Sequence, residues 1–245
     1  MVAISAADLA EKRELLYKLS PFSDGVKRLK RKSDLADFAY SNLKLNGSTL
    51  TCDGVEGILD GITVDGVPVF EHRICESHRK LLSRFESKID MEIEVDTIVL
   101  NEFCGILSGY DITPYRTDSP CLYHLGFVPG DPERISVDLA DAFGRVSRNY
   151  YAGDFCLKAA DIHLAIVKVY PYPDGFSEMA ARTSLQYELV KAGYFPVDIG
   201  LSEQEYNTIL TQAVKTGDAS PFAEHIRTAV FRKLHMLIDA VERGV

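Results

Sequence analysis

The sequence predicts a mainly α-helical domain carrying one small β-hairpin, and three observations predict it. Apolar residues recur at spacings of three and four through most of the chain, as amphipathic helices require. Helix punctuation falls where those stripes begin and end: serine, aspartate or proline at the starts and glycine at the stops. One stretch, residues 115–134, breaks the pattern with prolines, glycines and alternating apolar residues, which reads as an extended flap or hairpin.

Taken in order, the first clear stripe is Phe70, Ile74, His78, Leu81, Phe85 and Ile89. Asp96 opens the next helix and Gly109 stops it. Ser136 is expected to cap a helix whose inner face is Leu139, Phe143, Val146 and Tyr150. Leu157, Ala160, Leu164 and Val167 mark another, and Ala181, Leu185 and Leu189 the one after, stopped by Gly193. Two more are expected over 202–216 and 220–242, the latter with Pro221 at its start. Residues 62–68 contain Asp65-Gly66, a tight turn between short extended pieces. No internal repeat or low-complexity tract interrupts this order.

Composition narrows the function classes. The chain has 245 residues, 46% hydrophobic and 26% charged, enough to bury a real core. A net charge of −9 repels phosphate backbones, so nucleic acid is not expected as a partner. The one basic run, Lys27-Arg28-Leu29-Lys30-Arg31-Lys32, reads as a solvated helix face. The N-terminus lacks the pattern of a signal peptide, and no stretch approaches the ~18 apolar residues of a membrane span. Five cysteines without metal-type spacing read as reduced thiols in a cytoplasmic protein. His72 and His78 lie six apart, off a common helix face, so no metal–histidine site is expected.

The most informative segment is residues 167–182, Val-Lys-Val-Tyr-Pro-Tyr-Pro-Asp-Gly-Phe-Ser-Glu-Met-Ala-Ala-Arg. It joins two amphipathic stripes. Pro171 ends the first helix, Pro173-Asp174-Gly175 is turn chemistry, and the second helix starts near Ser177. A tight loop feeding a helix N-terminus presents free N–H groups and a positive dipole end, which physically suits an anion.

This segment resembles the motif of Fic-family proteins, H-P-F-x-D/E-G-N-G-R-x-x-R. Pro171, Asp174 and Gly175 match in register, and Tyr172 replaces the phenylalanine. The resemblance runs over roughly 35–240. Residues 159–163 are similar to the family's helix leading into the motif, 192–197 to its A-G-Y-P-P-I segment, and 216–222 to the G-D-x-S-P-L start of its last helix. Tyr115-Arg116-Thr117 resembles the entry to its substrate-docking flap, and residues 48–51 the N-T-L-T after its inhibitory glutamate. The resemblance implies a Fic (Fido) helical fold over 35–245 with an N-terminal helical extension over 1–34. It implies the activity of protein adenylyltransferases, AMP transfer from ATP to a protein hydroxyl.

The catalytic positions depart from that family. Tyr170 stands where the general base histidine belongs, and a phenol with pKa about 10 is a poor base at neutral pH. Asp174, the position that holds Mg²⁺, is retained; it reads equally as a turn aspartate. Phe176, Ser177 and Glu178 replace the Asn-Gly-Arg that, with Gly175, line the family's nucleotide-binding anion hole, and Glu178 reverses the arginine's charge. The outer arginine falls on Ala181; Arg182 lies about 100° further around the helix and is not expected to substitute. Asn46 replaces the inhibitory glutamate, so both members of that ion pair are missing. Glu178 also reads as an ordinary first-turn acid, Tyr170 as a packed tyrosine, and His163 as a core histidine. Three functions follow from the resemblance: a non-catalytic homologue that binds a partner protein, an enzyme of altered chemistry using Asp174, or remaining nucleotidyl transfer with Mg²⁺ and ATP.

Overall fold

The structure is a computed structural model and describes residues 4–244. Ten α-helices are present among the described residues: α1 Ala6–Lys18, α2 Asp24–Lys44, α3 Cys52–Leu59, α4 Val69–Asp90, α5 Thr97–Ser108, α6 Ile135–Arg148, α7 Phe155–Val169, α8 Phe176–Lys191, α9 Glu203–Thr216 and α10 Ser220–Glu242. The expected helix boundaries are met closely where cap chemistry is strong. Asp96 accepts from the Val99 N–H at 2.8 Å, and Gly109 closes α5 at φ 77°, a left-handed conformation that disfavours a side chain. Ser202 and Glu205 form a reciprocal capping box at α9.

Ser136 does not cap α6. Asp131 accepts from the Glu133 N–H at 3.0 Å and starts a 3₁₀ turn over Pro132–Arg134 that runs directly into Ile135, leaving Ser136 inside the first helical turn. The turn at Asp65-Gly66 is present, but the pieces flanking it are irregular rather than strand. The expected hairpin reduces to one isolated antiparallel bridge, Leu122 with Phe127. Its base pairs elsewhere: the Arg116 N–H bonds to the Pro171 carbonyl at 2.9 Å, across to the α7–α8 loop instead of across a hairpin.

α8 is the centre of the molecule. Every residue from Phe176 to Leu189 is buried, and the helix packs on α7, α5, α2 and α4. Most of its polar atoms find partners inside the protein, although Glu188 Oε1 does not. Thr183 and Ser184 donate to carbonyls one turn back at 2.9 Å, Gln186 bridges the N–H and carbonyl of Val197, and Glu188 pairs with Lys158 at 2.9 Å. α1 lies on α10 and buries Leu9 and Leu16. α2 is continuous through residue 34. On it, Lys27, Arg28, Arg31 and Lys32 are exposed, whereas Lys30 pairs with Asp34 at 2.6 Å.

Candidate functional site

The loop between α7 and α8 reverses the chain through left-handed residues at both ends. Tyr170, φ 50°, caps α7 with its N–H on the Ile166 carbonyl at 2.8 Å. Asp174 at φ 54° and Gly175 at φ 78° lead into α8. A Cβ on Gly175 would stand 3.1 Å from the Asn46 amide, so a glycine is required here both by conformation and by that close approach. Ser177 staples the loop: its hydroxyl accepts from the Tyr172 N–H at 2.7 Å and donates to the Tyr172 carbonyl at 2.8 Å.

Around that loop the structure assembles a buried polar cluster. Glu178 is 5% exposed, and its Oε1 accepts from the Tyr170 hydroxyl at 3.2 Å and from His124 Nε2, in the flap, at 2.8 Å. Its Oε2 lies 3.9 Å from Arg182. Arg182 is 1% exposed. It donates to Asn42 Oδ1 and to the Asn42 carbonyl, to Asn46 Oδ1 at 3.2 Å, and to the Tyr206 hydroxyl at 3.0 Å. Tyr206 in turn bonds His163 Nε2 at 2.8 Å. Contrary to the sequence expectation, Arg182 does reach the Asn46 position, because a long side chain crosses the 100° offset, and a neutral amide receives it instead of a carboxylate. His124 lies in an irregular stretch that carries no sequence signal for this contact, and Asn42 lies one helical turn before Asn46.

These surroundings set the protonation states. The hydrogen bond from His124 to Glu178 raises the histidine's pKa despite partial burial. Burial, then the Glu178 charge, pushes the Tyr170 phenol above its ordinary value, so it is a hydrogen-bond donor and not a base. Burial lowers His163 well below the ordinary histidine value and His78 to about 4; both are neutral core groups.

The remaining expected residues fall around this cluster. Phe176 is buried and meets Phe70 edge-on at 6.5 Å between ring centroids. Ala181 is fully buried. Tyr115 packs on Tyr172, and Thr117 is exposed. Arg116 is buried and rivets the flap base to the end of α7. It donates to the carbonyls of Tyr170 at 2.7 Å, Gly130 at 2.7 Å and Val169 at 3.2 Å, and also to that of Asp118. A cation there satisfies helix C-terminal carbonyls that have no intrahelical partner. Asp174 is exposed, and its carboxylate forms no hydrogen bond or ion pair among the described residues. No group of three or more His, Cys, Asp or Glu that could hold a metal occurs among those residues. Mg²⁺ held by a single carboxylate depends on substrate phosphates for its other ligands. With Glu178 already committed on the phosphate side, the residues present do not fit a resident metal.

No protein-family profile matches the chain, and no curated protein matches it in sequence. Solved structures do match it in shape. A Fic-domain-containing signalling protein from Bacteroides thetaiotaomicron VPI-5482 superimposes with TM-score 0.81 at 19% identity, covering 97% of each chain. Fic-1 from C. elegans gives 0.78 at 20% identity over 97% of this chain and 72% of that one. A Fic family protein from Desulfovibrio desulfuricans G20 gives 0.69 at 18% identity over 96% and 76%. The class defined by the ten helices of the described residues, with α8 buried among the others, is thus the mainly α-helical class expected. The particular architecture is that of Fic-domain proteins.

Proposed function

We propose that this chain is a Fic-fold protein that does not transfer AMP from ATP and instead binds a partner protein through the face formed by its flap and the α7–α8 loop. The observation that carries the reading is Glu178, a buried and fully engaged carboxylate at the helix start where the Fic resemblance calls for a phosphate-binding arginine. A bare like charge at ~4 Å and an effective dielectric of ~20 would oppose a phosphate by about 4 kcal/mol; Arg182 offsets part of that, and Glu178 still supplies none of the attraction an arginine would. Three further features support it. The base position holds a phenol whose pKa is raised, Ser177 spends its hydroxyl on its own loop, and the Phe176 ring is packed. A general base contributes typically ~10²–10⁴-fold and one anion-hole donor about 10²–10³-fold, so the chain's losses remove most of the family's route. Exposed Tyr123, at 88%, and Val128, at 58%, give the flap an apolar tip suited to protein contact.

Labelled ATP with Mg²⁺ and candidate target proteins is the direct test, with negligible transfer as the expected result. Robust transfer that disappears in Asp174→Ala overturns the reading in favour of a working nucleotidyltransferase. A Mg²⁺-dependent nucleotide shift in a melting assay, without transfer, supports altered chemistry at Asp174 instead.

A further inference from the structure

Between His124 of the flap and α9 lies an open cleft of about 710 Å³, lined by His124, Glu203, Gln204, Asn207, Thr208 and Thr211 among others, with Glu178 directly behind His124. That volume is within the range of small-ligand sites, about 300–1,000 Å³. Its lining is a set of amides, hydroxyls and one carboxylate, and its only cation is His124. That histidine is also the only flap group on Glu178, and its side chain is 40% exposed while Glu178 is 6% exposed. The buried carboxylate therefore has a replaceable partner on the cavity side and fixed partners, Tyr170 and Arg182, on the other.

We propose that this cavity is a binding site for a cationic side chain, a guanidinium or ammonium presented by a peptide segment, which pairs with Glu178 Oε1 by displacing His124. The proposal rests on the partner-binding reading above and gives that partner its chemistry. Glu203 at the rim adds a second negative charge, and the amides of Gln204 and Asn207 can bond the peptide that carries the cation. A guanidinium fits best: it stays charged at every working pH, one of its donors can replace His124 on Oε1, and the others remain for the amides and Glu203 of the lining.

The charged and titratable groups facing the pair are Glu178 and Arg182 from α8, Tyr170 from the end of α7, and Glu203 and Tyr206 from α9. His124 itself is the imidazole of the pair, the side-chain type whose charge changes near neutrality. Its raised pKa keeps it on Glu178 at low pH, so the incoming cation competes better as pH rises through that value.

The experiment is calorimetry on the full chain with N-acetyl-arginine amide, and with N-acetyl-citrulline amide as the uncharged counterpart, at pH about 6 and about 8. Saturable arginine binding is expected, weaker at the lower pH, with no citrulline binding. His124→Ala should tighten it about tenfold and remove the pH dependence, the scale of one charge-assisted bond, and Glu178→Gln should abolish it. Absence of binding to both the parent and His124→Ala overturns the proposal, as does equal binding of citrulline. If Glu178→Gln does not fold, the arginine–citrulline comparison on the parent decides by itself. AMP transfer in the ATP assay would instead sink the non-catalytic reading, and that outcome is read separately from either peptide.

Discussion

Glu178 and Arg182 each make the other tolerable. A carboxylate and a guanidinium buried this deeply cost several kcal/mol apiece to desolvate, and removing one partner leaves the other uncompensated. Arg182→Met should therefore destabilise the protein by about 3–5 kcal/mol, since Glu178, Asn42 and Tyr206 all lose a donor. Arg182→Lys should recover only a minor part, because one ammonium cannot reach partners on α2, α8 and α9 together. Urea denaturation of the three proteins measures both. The buried histidines give a pH signature of opposite sign to that of His124. His78 takes up a proton near 6.5 when unfolded but only near about 4 when folded. Its contribution is fully present above about 6.5 and is lost as pH falls toward 4, about 3 kcal/mol over that window. His163 acts in the same direction. His124, raised by Glu178, contributes stability that is fully present below about 6.5 and is lost as pH rises through its folded value. Denaturant titrations across this range should show a steep acid limb that His78→Gln makes shallower and His124→Ala leaves in place. An unchanged limb in His78→Gln would contradict the assignment. At this scale the sequence made Glu178 legible as an acid on a helix start and His163 as a core histidine. It misplaced Arg182, because its partners Asn42, on α2, and Asn46, in the turn after it, lie 140 and 136 residues earlier.

At the scale of elements, caps and turns were legible and the flap was not. Asp96, Gly109, Ser202 and Pro221 each act within one helical turn of themselves, so local chemistry suffices to place them. The flap is shaped by Arg116 reaching carbonyls up to 54 residues away, which no local pattern records. α8 shows a second limit. Its Ala181, Leu185, Leu189 stripe suggests one inner face, yet Ser177, Thr183, Ser184, Gln186 and Glu188 are buried as well, and buried polar residues look like a solvated face until their partners are known. The α7–α8 loop gives a sharp test of which features hold it. Gly175→Ala forces a side chain into a left-handed residue and onto the Asn46 amide, so a loss above about 1 kcal/mol is expected. Ser177→Ala removes both staples to Tyr172 and should cost about 1–3 kcal/mol. Asp174→Gly relieves an aspartate at φ 54° whose carboxylate bonds to none of the described residues, and should be neutral or stabilising by up to about 1 kcal/mol. Thermal melts of the three variants rank them; a large loss in Asp174→Gly would show that the carboxylate has a structural partner.

For the whole molecule, a fold shared at 20% identity or less shows that this packing pattern is compatible with different residues at the loop. In this chain the residues at the α7–α8 loop are tied into the core, so the Fic motif cannot be written in at the loop alone. Writing the Fic motif back in takes Tyr170→His, Phe176→Asn, Ser177→Gly, Glu178→Arg and Ala181→Arg. Glu178→Arg removes the carboxylate that compensates Arg182 and sets two guanidiniums side by side in the core. Ala181→Arg places a third in a position with no exposed surface. Each unpaired buried charge costs about 3–5 kcal/mol, against a total stability of about 5–15 kcal/mol for an ordinary domain. The five-fold variant should therefore fail to fold, with loss of the cooperative melt. Adding Arg182→Ala removes one of the crowded charges and vacates volume beside Tyr206 and Asn42, so a sixth substitution should restore a measurable transition. Circular dichroism melts of the parent, five-fold and six-fold proteins test this order. A five-fold variant that melts like the parent would mean that the core around α8 accommodates those charges without any structural commitment at Arg182.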